Sequence, residues 1–191
     1  RYGISFASRC SDHQLSLRLT YPTFVFNASY RLRAQQHDNA QHTALDNRLT
    51  QRLKLAATLM RGMWHADTQL HGSAYTSAGE RSLGFLAMQS LGLTHHWLTA
   101  DAALTYFCTD DYNSRLYVYE RGLLYDFSFP MFYGRGIHYS ARLRADLSPR
   151  LMLMAKGATT NYFDRSSIGS GLQRIGRSSK TDVEVQLRWK F

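Results

Sequence analysis

The sequence predicts an all-β protein, the C-terminal portion of an antiparallel transmembrane β-barrel of roughly ten to twelve strands. Three observations predict it. The final stretch, 181–191, alternates without a break: Thr181, Val183, Val185, Leu187, Trp189 and Phe191 fall on one face of a strand, and Asp182, Glu184, Gln186, Arg188 and Lys190 on the other. The same period of two recurs along most of the chain, and no apolar run approaches the ~18 residues of a membrane helix. The connections alternate between short and long, as the two ends of a membrane barrel do. The edge of a soluble sandwich also alternates. Against that stand the unbroken apolar face after Thr181, the aromatic pair Trp189 and Phe191 where an interface favours amphipathic rings, and the terminal position of Phe191.

In chain order, 1–6 begins in mid-strand, with Tyr2, Ile4 and Phe6 on one face. Leu15, Leu17, Leu19 and Tyr21 alternate with Ser16, Arg18 and Thr20, and Tyr21-Pro22-Thr23 is a tight turn. Phe24 to Ala34 alternates next, and 36–47, polar and bearing His37 and His42, reads as a loop. Leu53, Leu55, Ala57 and Leu59 alternate with Arg52, Lys54 and Thr58 before a turn at Arg61-Gly62. The stretch 64–75 alternates weakly, and 76–82, containing Gly79, reads as a loop. The apolar stretch 83–93 has a composition that suits a helix, but Gly84 and Gly92 argue against one. His95-His96 marks a short turn into 98–106. Clean alternation over 137–147 ends at Ser148-Pro149, followed by a strand at 151–160 and a Gly/Ser-rich loop at 163–180.

Short turns therefore lie near 22, 62, 95 and 148, and long loops near 41, 79, 109–135 and 172. Phe191 then belongs to the short-turn, periplasmic end. Within 109–135, the stretches 116–119 and 123–129 flank Glu120-Arg121-Gly122 and read either as an external hairpin or as two more barrel strands. The count is ten strands without them and twelve with them. The whole chain, 1–191, reads as one barrel portion, with 109–135 and 163–180 as external loop or cap regions.

Composition agrees. With 44% hydrophobic residues and a mean hydropathy of −0.37, the chain has the bulk polarity of a soluble protein, as does a barrel whose strands are half polar. Aromatics reach 13%, suiting strands and interfacial girdles. The net charge of +9 suits an Arg-rich lumen, or contact with polyanions such as lipopolysaccharide outside or nucleic acid within. Cys10 and Cys108 make no disulfide framework and have no metal-ligand spacing. A start Met and a signal segment are not at the N-terminus, so the expectation is a piece of a longer protein.

The polar strand faces collect Arg18, Arg31, Arg33, Arg52, Arg142, Arg144 and Arg188, with Asp101, Asp146, Asp182 and Glu184 on the same side. Such charges pair across a polar lumen, or else form a basic path for an anionic substrate. Ile168-Gly169-Ser170-Gly171-Leu172 lacks the strand-to-helix setting of a nucleophile elbow and has no nearby His. The eight His come without a carboxylate ligand set, and there is no phosphate-cradling loop. The expectation is no catalytic residue, no cofactor and no metal. A lipid-acting barrel enzyme needs a Ser or His with an orienting partner at the membrane boundary, and no such spacing stands out.

A closing strand that ends in an aromatic resembles the C-terminal signature of Gram-negative outer-membrane barrels. Three further stretches are more particular: Arg115-Leu116-Tyr117-Val118-Tyr119-Glu120, then 124–130 (L-Y-D-F-S-F-P), then Phe132-Tyr133-Gly134-Arg135-Gly136-Ile137. With Asn161-Tyr162-Phe163-Asp164-Arg165 and the residues up to Leu172, these resemble the C-terminal half of the helix-hairpin-helix-containing outer-membrane barrel proteins. The resemblance covers 115–191 and implies residence in the cell outer membrane, among outer-membrane lipid and lipopolysaccharide, after insertion by the barrel assembly machinery. It implies a non-enzymatic anchor or conduit linked to macromolecule or DNA transport, or a structural subunit that meets other envelope proteins. The DNA link runs only through N-terminal repeats that this sequence does not contain. Finally, Asp164 and Arg165 are expected to pair within the protein, and Tyr162 and Phe163 to pack on an aromatic cluster of Tyr125, Phe127, Phe129, Phe132 and Tyr133, capping or plugging the external mouth.

Overall fold

The computed structural model describes residues 8–39, 43–126 and 129–191. They form nine antiparallel strands in one sheet: β1 (Cys10–Thr20), β2 (Phe24–Asp38), β3 (Leu45–Arg61), β4 (Trp64–Ser77), β5 (Glu80–His95), β6 (Leu98–Thr109), β9 (Arg135–Asp146), β10 (Leu151–Tyr162) and β11 (Ser179–Trp189). Two short strands, β7 (Leu116–Tyr117) and β8 (Met131–Phe132), pair only with each other. The fold is all-β, as the alternation requires. Among the described residues the one helical turn is a 3-10 turn at Gly171–Gln173, and no helix is long and apolar enough to cross a membrane.

Several expectations need correction. The sheet is not closed among the described residues: β1 pairs only β2, and β11 pairs only β10. The strand expected over 1–6 lies outside those residues, as do His42 and Phe127. The twelve-strand alternative is wrong within them, because β6 pairs directly with β9, from Leu98↔Ala145 to Cys108↔Arg135. That ladder leaves no slot for two more strands. The loop expected over 76–82 is a two-residue turn. Ala78 and Gly79 take φ of 50° and 85°, the left-handed pair that a tight hairpin needs, so Thr76 and Ser82 stay in the ladder. The loop expected over 36–47 shrinks likewise, as β2 runs to Asp38 and β3 starts at Leu45. The glycine-bearing stretch 83–93 is all strand.

Register fixes two opposite faces. Leu15, Tyr30, Leu53, Gly72, Phe85 and Cys108 stand in one row across six strands. Neighbouring rows add Leu17, Leu70 and Tyr106, then Leu104 and Tyr139, and so on to Val183, Val185 and Leu187 on β11. This apolar face is exposed: Leu15 is 75% accessible, Val183 74% and Leu91 58%. At the short-turn end Tyr21, Trp64, Trp97 and Trp189 are exposed as well.

The enclosed core lies on the polar face instead. Leu86, Met88 and Phe107 project from β5 and β6 on that side and are covered by Leu116, Val118 and Phe132. Phe107 stacks on Phe132 at 4.8 Å. The covering residues belong to the 110–134 connection, which returns along the sheet instead of standing outside it. Burying these side chains pins the connection down, at roughly 1.5–3 kcal/mol for each fully covered large residue.

Candidate functional site: the polar face and the segment seated on it

The connection is fixed at four places. At its start Asp111 Oδ1 accepts from Asn113 N at 2.7 Å, Ser114 N at 3.3 Å and Ser82 Oγ at 2.5 Å. Burial favours the protonated acid here, but these donors outweigh it and hold the carboxyl below its usual range. Ser114 Oγ donates to Leu83 O at 3.0 Å. Gly84 permits this approach, since a Cβ there would stand 2.4 Å from Ser114 O.

Further along, the buried Glu120 carboxylate accepts from His138 Nε2 at 3.0 Å, from Ser140 Oγ, and faces Lys156 Nζ at 2.8 Å. Burial pushes its pKa up, and the three donors more than reverse that, drawing it from 4.5 to about 2. The next residue, Arg121, reaches two strands: Nη1 donates to Asp101 Oδ1 at 3.0 Å and Nη2 to Asp67 Oδ2 at 3.3 Å. His65 Nε2 lies 2.8 Å from Asp101 and 2.6 Å from Arg121 Nη1. One ring nitrogen makes one of these bonds, donating to the carboxylate or accepting from the guanidinium. Arg142 completes the network, with Nε and Nη2 on Asp101 Oδ2 at 3.0 and 2.5 Å and Nη1 on Gly122 O at 3.0 Å. Last, Gln186 bonds Leu124 in both directions, its Oε1 accepting from Leu124 N at 2.9 Å and its Nε2 donating to Leu124 O at 3.1 Å.

The arginines anticipated on this face do share it, but they divide into groups. Arg142 belongs to the Asp101 network and Arg144 pairs with Asp146 at 2.9 Å. Arg31 pairs with Asp12, and Arg33 stands 4.0 Å from the same carboxylate. Arg31, Arg33 and Arg52 line one cavity of about 220 Å³ with Arg48 and Arg115. Arg18 on β1 and Arg188 on β11 lie apart from it. Arg48 was missed although Arg48-Thr50-Arg52 shows the period of two. Arg115 comes from the connection, where no periodicity exists to find it.

Of the two arrangements expected for the loop regions, capping or plugging, the segment 114–124 has the inward placement of the second: it lies along the polar face of the sheet. Arg165 does tie the two loop regions together: it pairs with Asp164 at 2.9 Å, donates to Tyr133 O at 3.2 Å and lies over the Tyr133 and Tyr162 rings at 4.5 and 4.3 Å. The Arg165 guanidinium, donating to Asp164, lowers the pKa of that carboxylate through the hydrogen bond. Tyr162 meets the aromatic cluster through Phe107, edge-on at 5.6 Å. Phe163, Tyr125 and Phe129 are exposed and do not anchor the loop. Trp189 ends β11 opposite Leu151, and Phe191 lies beyond the strand.

A serine–histidine pair escaped the sequence analysis. Ser11 Oγ and His13 Nε2 are 2.7 Å apart on the apolar face of β1, at the long-loop end. The signal was S-x-H, two residues one pleat apart. No carboxylate orients His13 among the described residues. No group of three or more His, Cys, Asp or Glu is placed to hold a metal among them either. Cys10 and Cys108 are free thiols. Comparison with protein-family models, with curated proteins and with solved structures finds no match.

Proposed function

We propose that the chain is part of a non-enzymatic outer-membrane β-barrel, an anchor or conduit whose polar face is partly filled by its own 110–134 connection. One observation carries the reading: the large apolar side chains cover the exposed face of the sheet, while the enclosed core sits on the polar face. Eight hydrophobic residues are buried against more than thirty large ones exposed among the described residues, an excess that water does not tolerate in a contiguous patch. The aromatics support it. Trp64 pairs with Leu93, and Phe85 stands eight residues from Leu93 on the same face, ~27 Å along the strand. That is the scale of the ~25 Å apolar band between the two aromatic girdles of a membrane barrel. The resemblance to helix-hairpin-helix-containing barrel proteins adds a link to macromolecule or DNA transport, or to a structural place in a larger envelope complex.

The test is a pair of substitutions on β11. Leu187→Asp puts a charge on the apolar face and costs about 2–4 kcal/mol if that face meets the middle of a bilayer, whereas Arg188→Asp changes only the polar face. Insertion into vesicles and heat-modifiable gel mobility should fail for the first variant and survive for the second. Equal behaviour of the two removes the membrane reading. A lipid-acting enzyme remains the second reading, because of Ser11 and His13 alone.

A further inference from the structure

We propose that the cavity lined by Arg31, Arg33, Arg48, Arg52 and Arg115 is a binding site for a phosphate-type oxyanion. This goes beyond the membrane reading and does not depend on it.

The argument begins with charge. Five guanidinium groups, permanently cationic, surround one cavity of about 220 Å³. Among the described residues the carboxylate that pairs with any of them is Asp12, which Arg31 holds and Arg33 approaches. Five cations and one ion-paired carboxylate leave an excess of positive charge around the cavity. Asp46 and Glu80 share the polar face near Arg48 but form no ion pair with the five. Asp111 is engaged by Ser82, Asn113 and Ser114.

The second observation concerns hydrogen bonds. The Nε atoms of Arg48 and Arg52 are buried and have no hydrogen-bond partner among the described residues. A buried guanidinium donor without an acceptor is costly, and proteins rarely leave one so. Here two arginines of β3 do it on the same face, one on either side of Thr50. Neighbouring groups show that the arrangement is built. Arg115 is held by its Nη1 bond to Tyr112 O at 2.9 Å and its Nε bond to Tyr117 Oη at 3.1 Å, and it lies over the Tyr112 ring at 4.3 Å. It is thereby fixed among like charges that would otherwise drive it into solvent.

The geometry selects the chemistry. Planar guanidinium forks match tetrahedral oxyanions with two oxygens per fork, which makes arginine the phosphate binder of choice. Tyr75 and Asn113 add a hydroxyl and an amide to the lining. The cavity has room for several waters, hence for one phosphoryl group or a short polyphosphate. The phosphate can belong to a soluble molecule or to a lipid headgroup. The cavity opens on the polar face, which favours the soluble source.

The experiment measures binding of inorganic tripolyphosphate to the full chain by calorimetry, in detergent where the chain requires it, beside vesicles of phosphatidic acid in phosphatidylcholine. The variants are Arg48→Lys with Arg52→Lys, which keep the charge and lose the forks, and Arg18→Gln, which lies on the same face outside the cavity. The site predicts saturable binding of one tripolyphosphate per chain, weakened about tenfold or more by the lysine pair and unchanged by Arg18→Gln. Phosphatidic acid vesicles that compete for the same site identify a headgroup source; vesicles that do not compete identify a soluble one. No saturable binding of either probe, or equal weakening by Arg18→Gln, overturns the proposal. Circular dichroism checks that each variant folds. Should the lysine pair fail to fold, one-to-one thermal stabilisation of the unmodified chain by tripolyphosphate, absent with sulfate-free chloride at equal ionic strength, still decides it. A chain that binds tripolyphosphate and never enters a membrane defeats only the reading of the preceding subsection.

Discussion

Replacing Glu120 with Gln tests whether charge or packing holds the 110–134 connection on the sheet. The carboxylate is buried, with 6% of its side chain accessible, and faces Lys156, His138 and Ser140. Its pKa falls from 4.5 to about 2 on folding, which corresponds to stabilisation on the order of 3 kcal/mol at neutral pH. Removing one partner of a buried pair costs about 3–5 kcal/mol by mutation, so the two routes agree in scale. The sign follows from the depressed pKa. The contribution is complete above pH ~4.5, where the unfolded carboxyl is ionised, and fades as the pH drops toward 2. Urea unfolding of both proteins from pH 7 to pH 2 should show a difference of about 3 kcal/mol that narrows to nothing at the acid end. Hydrogen exchange over 114–124 should accelerate in the variant, because β7 and β8 form only a two-stranded ribbon of their own. A variant as stable as the parent, or a difference that does not change with pH, would show that apolar burial around Phe107 and Phe132 suffices and that the ionic account is wrong.

Two other outcomes are expected. Gly84→Ala should release the start of the connection, since its Cβ would meet Ser114 O at 2.4 Å and Thr109 Cγ2 at 3.1 Å; a loss of about 1–3 kcal/mol and new protease cleavage near 110–116 would show it. Ser11→Ala should leave any ester hydrolysis by the purified chain unchanged, because no acid among the described residues orients His13; a loss of turnover of about 10² or more in an ester-hydrolysis assay would move the pair from coincidence to nucleophile and base.

The faces of the sheet were legible in the sequence because the strand period is two and does not depend on distant partners. Val183, Val185 and Leu187 had to share a side with Leu153 and Tyr139 once each strand alternated, and register aligned them. The chemical character of the polar face was legible for the same reason, including Arg31, Arg33, Arg52 and Arg142. Turn lengths were less so. Ala78-Gly79 and Ser77 read as loop because small polar residues suit a tight hairpin and a long loop equally well.

The path of 110–134 and the grouping of the arginines were decided only by the tertiary structure. The connection has no period, and its route depends on partners far away in sequence: Glu120 needs Lys156 and His138, Arg121 needs Asp67 and Asp101, and Leu124 needs Gln186. Alternation says which face Arg52 occupies but not which charges stand beside it. That depends on stagger between strands, which sets Arg31 opposite Arg52, and on a loop that delivers Arg115 from outside the sheet. Local spacing determined the two faces, and long-range register together with one connection that runs back along the sheet determined how the charges of the polar face are grouped.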